Sequence, residues 1–571
     1  MKTFENISTL DSLSQILKVP KKKLTYILYV KRIENLYTSF EIPKKIGGER
    51  TISSPSTDLK EIQVNIAELL RKQQTVFWEE NNIEPNIAHA FNKKKSIMTN
   101  ANLHKHKRYV LNIDLENFFD SFHFGRVRGY FEKNKNFLFP QNVATILAQL
   151  TCYNGKLPQG APTSPIITNL ICNVLDMKLL KIAKKFRLVY SRYADDLTFS
   201  TNDKSILENL EEFLAQLEFI VNKSGFMINR KKTRLQYKDS KQVVTGLVVN
   251  EKVNVNRLFY KETRSMADTL YKTGEFRIGD DEGNLNRLEG RFSFINQIDR
   301  FNNKIGKGKN IGNKESKKLN GRERQYQMFL FYKYFYCNTK PCLITEGKTD
   351  IIYIKSALKK MYLSYPNLIE KNSDGTFHFK FLFLRRSKRM RYFFELKLDG
   401  ADTMSKIYNF YCDTNNHNYP NYVKKFTEKS VSPINPTILI YDNELKNKDK
   451  LLSKITNTTK IRQDEEKYNF LKTNHYVNIT SNLYVLTHQL VKGLPECEIE
   501  DLFDSNTLKV TINDKTFERD LKKFDENKNY GKAIFAGYIS KNYLNINFDE
   551  FKPLLDNLNT IVTLYNLNSQ T

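Results

Sequence analysis

Apolar residues near the start of the chain recur in patterns that predict short helices and one hairpin. LDSLSQILKV has apolar residues three or four positions apart, which predicts a short helix, and Pro20 interrupts the pattern. TSFEIPKKIGGERTISSP alternates on both sides of Gly47 and Gly48, which predicts a hairpin with the glycines at its turn. LKEIQVNIAELLRKQQ then predicts an amphipathic helix. The chain therefore begins with mixed α and β structure.

The middle of the chain contains apolar runs that end in acidic residues. RYVLNIDLENFF predicts a strand with an acid at its end, and YSRYADDLTFST predicts two strands joined by an acidic turn. QNVATILAQLTCYN and PTSPIITNLICNVLDMKLLKIAKKF predict helices. The region 250–335 is basic and predicts mainly helix, and its segment 304–324, rich in Lys, Gly and Asn, predicts an exposed loop.

From position 341 the pattern changes to that of an α/β domain. PCLITEGKTDIIYIKSALKKM is an apolar strand, a polar turn and a helix, which is how a βα unit begins. PTILIYDNE predicts a second apolar strand that also ends in acids. We therefore expect an independent α/β domain, which we place at 339–571.

The chain is strongly basic and has no apolar segment of membrane-spanning length. Its 91 Lys and Arg oppose 63 Asp and Glu, and a formal charge of +28 attracts polyanions. The 31 Tyr and 39 Phe favour nucleic acid over an anionic membrane surface because rings stack on bases, although an AT-rich genome would enrich the same residues. No stretch approaches the roughly 20 apolar residues that span a bilayer, and MKTFENISTLDSLSQ lacks the apolar run of a signal peptide. We expect a soluble, cytoplasmic protein with no membrane partner.

The cysteines indicate neither a zinc site nor a disulfide framework. They are scattered, and no histidine follows the closest pair at zinc-finger spacing. We expect reduced, mostly buried thiols at all six positions: Cys152, Cys172, Cys337, Cys342, Cys412 and Cys497.

Three aspartates stand where a polymerase active site needs them. Transfer of a nucleotide onto a 3′ hydroxyl uses two divalent ions, and Mg²⁺ prefers carboxylate ligands. Asp114 ends one apolar strand, and Asp195 and Asp196 lie at the tip of the later hairpin. An adjacent acid pair alone often indicates only a solvated turn. The order of the surrounding segments favours a two-metal Mg²⁺ site here.

Segments around these aspartates offer further contacts for a nucleotide. LPQGAPTSPIITNLIC lies between the two acidic positions, and its turn at Gln159 and Gly160 can bring backbone close to a nucleotide. GFMINRKKTRL follows the acids, and its Lys232 is a candidate cation or proton donor near the leaving pyrophosphate.

Seven successive blocks of the sequence resemble those of the reverse-transcriptase family. They are IPKKIGGERTISSP, AHAFNKKKSI, NIDLENFFDSF, LPQGAPTSP, RYADD, GFMINRKKTR and TGLVVN, within residues 10 to 335. The resemblance implies an α+β right-hand polymerase, with fingers and palm at 1–245 and a thumb and basic RNA-binding region at 246–338. It also implies that Phe119 is the steric gate against a ribose 2′-OH. Arg50 and Lys95 become expected contacts of the dNTP triphosphate, although each could equally be a solvated surface cation.

Two smaller motifs resemble the signatures of retron reverse transcriptases. Asn100 and His104 fit an NAxxH motif, and Val244, Thr245 and Gly246 fit a VTG motif. The resemblance implies binding of a cognate structured non-coding RNA, priming from a guanosine 2′-OH within it, and a branched RNA-linked cDNA (msDNA) as product.

Acidic residues also end strands in the predicted C-terminal domain. Glu346 follows one apolar strand, and Asp442 and Glu444 end a later one, so together they could chelate Mg²⁺. For Glu346 alone, capping of the next helix is an equally good explanation.

EGKTD followed by this acid pair resembles the TOPRIM domain of topoisomerases, primases and OLD-type nucleases. TOPRIM usually has DxD, whereas Glu444 holds the third position here, so its role is open. ECEIEDLF and NYGKAIF resemble later segments of OLD-type members. The resemblance implies a TOPRIM-like metal-dependent nuclease with these residues: Glu346, Asp442, Glu444 and Glu500 as metal ligands, Lys532 as a catalytic lysine, and Asp350 as a further contact.

The leading hypothesis is a retron reverse transcriptase fused to a TOPRIM nuclease that acts in antiphage defence. One alternative keeps the polymerase but makes the TOPRIM-like domain an inactive scaffold. Another is a non-catalytic RNA-binding protein, which the three intact palm aspartates argue against. A topoisomerase is disfavoured, because no strand-passage domain is evident and sheet packing explains Tyr441 better. Expected partners are the RNA, its cDNA and dNTPs, and a homo-oligomer is left open.

Overall fold

The computed structural model describes residues 7–44, 47–306, 319–397, 403–520 and 522–568. The chain divides into two compact units, which we call the N-terminal unit (Met1–Arg257 with Gln297–Ile311) and the C-terminal unit (Leu258–Asn296 with Gly312–Thr571). The domain boundaries predicted at 245/246 and 338/339 follow motif blocks rather than contacts, and they stay a prediction. Of the predicted loop 304–324, residues 307–318 lie outside the described ranges, and both described flanks reach into helices.

The N-terminal unit confirms the helices and hairpins predicted from the apolar pattern. Its helices are α1 (Leu10–Leu17), α2 (Lys21–Thr25), α3 (Thr57–Glu80), α4 (Ile97–Leu103), α5 (Phe124–Lys133), α6 (Gln141–Thr151), α7 (Ser164–Lys185), α8 (Ser205–Glu208) and α9 (Leu210–Lys223). Its strands are β1 (Tyr37–Pro43), β2 (Glu49–Pro55), β3 (Tyr109–Glu116), β4 (Val189–Tyr193), β5 (Asp196–Thr201), β6 (Met227–Tyr237), β7 (Val243–Val244) and β8 (Leu247–Val248).

A four-stranded antiparallel sheet in the order β4-β5-β3-β6 organises this unit. Strands β4 and β5 form a hairpin, which we call the palm hairpin, and β1 and β2 form a separate two-stranded hairpin. Helix α7 is apolar on most sides and contributes Ile167, Cys172 and Leu179 to the buried core that it shares with β3 and β5. Helix α4 packs beside the palm hairpin and the small β7–β8 hairpin.

The C-terminal unit contains the predicted α/β architecture. Its helices are α10 (Arg257–Thr273), α11 (Leu285–Gly306), α12 (Gly321–Phe331), α13 (Lys348–Lys360), α14 (Lys388–Phe394), α15 (Tyr422–Thr427), α16 (Leu451–Thr458), α17 (Glu465–Asn474), α18 (Ser505–Leu508), α19 (Lys532–Lys541) and α20 (Lys552–Asn568). Arg257 of α10 and the part of α11 from Gln297 onward belong to the N-terminal unit. Its strands are β9 (Arg277–Ile278), β10 (Asp281–Glu282), β11 (Cys342–Thr345), β12 (Ile369–Lys371), β13 (Phe377–Phe379), β14 (Leu382–Phe383), β15 (Thr437–Tyr441), β16 (Tyr476–Thr480), β17 (Leu483–Thr487), β18 (Thr516–Phe517) and β19 (Asn529–Tyr530).

Five of these strands form one sheet in the order β14-β11-β15-β17-β16, parallel except for β16. Every residue of β11 and β15 is buried, as expected for central strands covered on both faces. The basic helices predicted between 250 and 335 are present as α10, α11 and α12. Their residues Leu270, Phe292 and Phe329 share one core with the sheet residues Leu439 and Val485.

Two chemical expectations concern the whole chain. All six cysteines are free thiols; five are buried, Cys412 is half-buried, and burial raises the pKa of Cys152 and of Cys172 to about 12. In the part of the chain that the structure describes, no helix combines the length and the apolar character needed to cross a bilayer.

Candidate active sites

The register of the palm sheet brings the three predicted aspartates together. Asp114 of β3 is the direct antiparallel partner of Asp196, the first residue of β5. Asp195 lies in the preceding turn, where Ala194 has a φ of +57° that is unusual for a residue with a side chain. The backbone N–H of Leu115 donates to the carbonyl oxygen of Asp195 at 3.0 Å. The acidic turn is therefore tied to β3 as well as to its own hairpin.

The three carboxylates repel one another in a half-buried position. Burial, reinforced by the charges of Asp195 and Asp114, raises the pKa of Asp196 to about 7. Burial also raises the pKa of Asp195, whereas the positive charges of Lys232 and Arg50 oppose that shift. Lys232 Nζ, on β6, lies 3.1 Å from each carboxylate oxygen of Asp114. Lys232, Arg50 and Arg234 therefore supply positive charge that opposes this repulsion.

The donor set suits Mg²⁺, because the ligands are hard carboxylate oxygens whose repulsion a cation would relieve. Among the described residues, however, no three His, Cys, Asp or Glu side chains are close enough to hold a metal ion as they stand. The carboxylate of Asp114 is instead engaged by Lys232. Magnesium binding by Asp114, Asp195 and Asp196 stays a prediction.

The turn at Gln159 and Gly160 makes its close contact with protein backbone. The N–H of Ser53 on β2 donates to the carbonyl oxygen of Gln159 at 2.7 Å. Gly160 has a φ of +121°, and a Cβ atom there would lie 2.7 Å from the Ser53 carbonyl oxygen. Only glycine fits both conditions. The turn therefore positions the β1–β2 hairpin, and its expected contact with a nucleotide remains a prediction.

The other predicted nucleotide contacts are in different surroundings. Phe119 lies in a short 3₁₀ turn after β3, with its half-buried ring 5.5 Å from that of Phe118. Lys95 Nζ donates to Asn86 Oδ1 at 2.8 Å. Arg50 is exposed on β2. The roles predicted for Phe119, Lys95 and Arg50 remain predictions.

The NAxxH motif forms a buried hydrogen-bond network with the palm hairpin. His104 Nε2 lies 2.7 Å from Ser191 Oγ on β4, and Nδ1 lies 2.7 Å from Ser200 Oγ on β5. Ser191 donates its own proton to Asn100 Oδ1 at 2.6 Å, so its oxygen accepts from Nε2–H, and Nδ1 accepts from Ser200. Burial lowers the pKa of His104 to about 3, which keeps this tautomer neutral. Sequence reasoning missed both serines, since a small polar residue in an apolar strand carries no distinct signal.

The VTG motif forms the turn between β7 and β8 and contacts the NAxxH helix. Thr245 and Gly246 both have positive φ, 46° and 80°, as a two-residue hairpin turn needs. Thr245 Oγ1 donates to the carbonyl oxygen of Ile97, the first residue of α4, at 3.3 Å. Val244 is fully buried. The two signatures therefore form one structural element against the palm hairpin.

A buried ion pair beside the palm hairpin also escaped sequence reasoning. Arg192 of β4 donates through Nε and Nη2 to the two carboxylate oxygens of Asp176 on α7, each at 2.8 Å. Their side chains are 0% and 4% exposed. Arg192 also donates to the carbonyl oxygen of Ala194, the residue before Asp195, at 3.1 Å. This pair therefore supports the turn that carries the acids.

In the C-terminal unit, parallel pairing brings Glu346 and Asp442 to one edge of the sheet. Strands β11 and β15 are neighbours, and these residues directly follow them. The N–H of Asp442 donates to Glu346 Oε2 at 3.3 Å, and burial beside Asp442 raises the pKa of Glu346 to about 9. The helix-capping alternative for Glu346 is wrong, because Asp350 instead accepts the Gly347 N–H at 2.7 Å at the start of α13.

Glu500 and Lys532 lie together in the same unit, and their roles as metal ligand and catalytic lysine stay predictions. Lys532 Nζ is 3.1 Å from Glu500 and 3.0 Å from Glu498. Burial raises the pKa of Glu500 to about 7, and the charges of Asp442 and Asp350 contribute to the shift.

Two further residues change the picture of this acidic cluster. Glu444 pairs with Lys450, outside the Glu346–Asp442 contact. His488, which sequence reasoning did not single out, is buried with Nε2 3.7 Å from Asp442 Oδ1. Electrostatic interactions with His488 and Lys532 oppose the effect of burial, and the pKa of Asp442 is lowered.

Comparison with known proteins gives a family for the N-terminal part of the chain. The family model for reverse transcriptase (RNA-dependent DNA polymerase) matches residues 42–256. The chain is 32% identical over 304 residues to the retron Ec86 reverse transcriptase of Escherichia coli, a match that covers 51% of this chain and 85% of the relative. It is 30% identical over 323 residues to the retron Mx162 reverse transcriptase of Myxococcus xanthus, a match that covers 51% of this chain and 64% of the relative.

A solved structure of apo telomerase from Candida tropicalis aligns with this chain at 13% sequence identity and a TM-score of 0.31, and the alignment covers 52% of this chain and 60% of the telomerase chain. That score is too low to carry an argument, so the assignment rests on the sequence matches. The chain belongs to the retron reverse transcriptases, a family of RNA-dependent DNA polymerases.

Proposed function

We propose that the N-terminal unit copies a cognate structured non-coding RNA into cDNA that remains joined to it through a 2′,5′ branch. The observation that carries this proposal is the register of Asp114 opposite Asp196, with Asp195 in the adjoining turn. The basic charge of +28 supports an RNA partner, since phosphate contacts supply most of the affinity that does not depend on sequence.

The mechanism assigns separate tasks to the carboxylates and to Lys232. Asp114, Asp195 and Asp196 would hold two Mg²⁺ ions, which supply activation of the attacking hydroxyl and charge neutralisation on the triphosphate. A metal ion on Asp114 would compete with its ion pair to Lys232, and the Lys232 ammonium group, which lies beside the site, would neutralise or protonate the leaving pyrophosphate.

The test replaces Asp195 and Asp196 together by asparagine in the protein with its RNA. We expect cDNA synthesis to be abolished while the RNA still co-purifies, because phosphate contacts do not depend on the metal ligands. A matched control replaces the exposed acids Asp239 and Glu251 of the same unit by Asn and Gln. Continued synthesis by the Asp195→Asn, Asp196→Asn variant would overturn the site assignment.

For the C-terminal unit we propose a metal-dependent TOPRIM nuclease that acts as the effector in antiphage defence. It is supported by the juxtaposition of Glu346 and Asp442 at the carboxyl ends of adjacent parallel strands. Burial and the charge of Asp442 raise the pKa of Glu346, and two adjacent buried carboxylates are an expected ligand set for Mg²⁺. When bound, Mg²⁺ would supply a nucleophilic water and stabilise the leaving oxygen, and Lys532 would place a positive charge beside it.

The test is Glu346→Ala, with the exposed Glu526→Ala as the control. We expect Glu346→Ala to remove nuclease activity and protection against phage, and to leave cDNA synthesis unchanged. A wild-type protein without Mg²⁺-dependent cleavage of DNA or RNA would favour the inactive-scaffold alternative. Cleavage retained in Glu346→Ala would place the chemistry elsewhere.

A further inference from the structure

Lysines and aromatic rings alternate over one surface of the C-terminal unit, which we call the lysine–aromatic surface. Each lysine ammonium lies over two rings. The distances from Nζ to the ring centroids are 5.3 and 5.4 Å for Lys355 (to Phe379 and Phe383), 5.8 and 5.7 Å for Lys359 (to Phe377 and Tyr543), and 5.6 and 5.8 Å for Lys371 (to Tyr362 and Phe377). The contacts form two groups, Lys359 and Lys371 joined at Phe377, and Lys355 with its own two rings; β13 carries a ring of each group, Phe377 and Phe379.

The core of the unit holds these rings in place. All five are half-buried and pack from one side against the buried residues around Tyr353 and Leu358. The rings of Tyr362 and Phe377 also meet edge to face at 5.7 Å. Rings that are fixed on one side and partly exposed on the other form a rigid platform, so a ligand that stacks on them loses little side-chain entropy to the protein.

The lysines carry positive charge that acids of this unit do not neutralise. In the part of the chain that the structure describes, no carboxylate lies within 4.0 Å of Lys355, Lys359 or Lys371. Glu370, the neighbour of Lys371, pairs with Lys380 at 3.5 Å. Burial and the charge of Lys359 lower the pKa of Lys355. An anion placed over this surface would relieve that repulsion.

We propose that the lysine–aromatic surface binds a single-stranded nucleic acid and presents it to the acidic cluster at Glu346. Lysines suit the phosphates, and the rings suit unpaired bases, whose faces are free to stack. Bases in a duplex are already stacked on one another. A protein partner fits less well, since three uncompensated lysines would be costly to bury.

The position of this surface in the fold agrees with delivery to the acidic cluster. Phe383 on β14 pairs in register with Leu343 on β11, the strand that leads to Glu346. Helix α13 begins two residues after Glu346, and Lys355 is seven residues further, about 10 Å along the helix. The inference deepens the proposed nuclease and rests on it for the fate of the bound strand, whereas binding itself can be measured separately.

The first experiment changes charge alone in the full chain. Lys355, Lys359 and Lys371 are replaced together by Gln, and the control carries Lys454→Gln, Lys509→Gln and Lys522→Gln, three exposed lysines of the same unit. Binding of short fluorescent oligo(dT) and oligo(U) is followed by anisotropy across a salt series. Because the polymerase unit is the same in both proteins, any difference between them comes from the substituted lysines.

We expect the variant at the lysine–aromatic surface to bind about tenfold more weakly or worse at low salt, and the control to bind like wild type. Loss of three phosphate contacts should reduce the slope of log Kd against log salt by about 2. Weaker binding of both oligonucleotides supports a surface that recognises features common to DNA and RNA. Weaker binding of only one of them indicates that the surface prefers that type of nucleic acid.

A second variant changes stacking and keeps the charge. Tyr362→Leu with Phe377→Leu should weaken binding while leaving the salt slope unchanged, because no phosphate contact is lost. Urea unfolding checks that the variant is folded under the binding conditions. Weaker binding from a folded protein supports a stacking role beyond core packing.

The proposal and the nuclease assignment fail in different ways. Unchanged oligonucleotide binding in both variants would overturn the proposal, whatever the cleavage assay shows. Loss of self-association instead of nucleic-acid binding would overturn it in favour of a protein interface. The Glu346→Ala protein should bind the oligonucleotides like wild type. Retained binding with lost cleavage in this variant would show that binding and cleavage depend on different residues. If the wild-type protein binds oligonucleotides through this surface but does not cleave them, the binding proposal stands and the nuclease proposal is wrong.

Discussion

Replacing His104 by alanine tests whether the NAxxH motif holds the palm hairpin in place. The His104 ring joins Ser191 of β4 to Ser200 of β5, and both hydroxyls are buried. Side chains four residues apart on a strand point to the same face, so Ser200 lies on the face of β5 that also carries Asp196. Loss of the ring should therefore weaken the strand pair that positions the acid.

The cost can be worked out from the contacts that remain. Ser191 keeps its hydrogen bond to Asn100, so it loses one bond worth about 1 kcal/mol. Ser200 has no other side-chain partner among the described contacts, and an unsatisfied buried hydroxyl costs about 1–3 kcal/mol. We expect His104→Ala to lower the unfolding free energy of the N-terminal unit by about 2–4 kcal/mol, the sum of these two terms.

Urea unfolding followed by tryptophan fluorescence measures this directly. The chain has one tryptophan, Trp78 in α3, so the signal reports on the N-terminal unit. The control is His106→Ala, a neighbouring exposed histidine, with an expected change below about 1 kcal/mol.

The double variant His104→Ala with Ser200→Ala adds a second requirement. Removing the orphaned hydroxyl should make the double variant cost less than the sum of the single variants. Equal effects of His104→Ala and His106→Ala, or strict additivity of His104 with Ser200, would refute the reasoning.

Three further predictions use the same Trp78 signal. The pKa of His104 in the folded protein is about 3, below its ordinary value of 6.5, so between these pH values the unfolded state binds more protons than the folded state. The free energy of unfolding should therefore fall as the pH drops from 6.5 toward 3, and His104→Ala should make this pH dependence weaker. Gly160→Ala should cost about 2 kcal/mol or more through strain and reduce cDNA synthesis, whereas Gly129→Ala, with open space at a helical position, should be neutral or stabilising. Asp176→Ala should cost about 3–5 kcal/mol by leaving a buried arginine without its carboxylate, and Glu212→Ala, from the exposed pair with Lys185, less than about 1 kcal/mol. Equal losses in either matched pair would contradict the argument.

The elements that carry the acids could be predicted because their signals are local. An apolar run that ends in an acid predicted both β3 with Asp114 and β15 with Asp442, and both strands exist. Asp442 directly follows β15, whereas β3 continues past Asp114 to Glu116 because its last residues pair with β6. Which acids meet depends on strand order. The antiparallel register that sets Asp114 against Asp196, and the adjacency of β11 and β15, join residues far apart in sequence.

Residues that support the acids could not be predicted, because burial changes the meaning of a residue type. Ser191, Arg192 and Ser200 resemble ordinary polar positions of a hairpin, yet all are buried and hydrogen-bonded to residues of α4, of α7, or to His104 directly after α4. Glu444 pairs with Lys450, a partner that the motif did not indicate, and its predicted role as a metal ligand stays a prediction. Position in a motif therefore indicates which residues matter, and only the fold shows what each one contacts.

The retron signatures show how these two kinds of information combine. Resemblance alone marked Asn100, His104 and Thr245 without giving them a task. In the structure, Thr245 contacts the first residue of α4, and the far end of α4 presents His104 to both strands of the palm hairpin. A change in how the β7–β8 turn is held therefore has a physical route, through one short helix and two serine hydroxyls, to the strand that carries Asp196. We expect Thr245→Ala to reduce cDNA synthesis clearly in the wild-type background and far less in the His104→Ala background. In the second background α4 no longer contacts the palm hairpin through His104, so the Thr245 contact has nothing left to transmit.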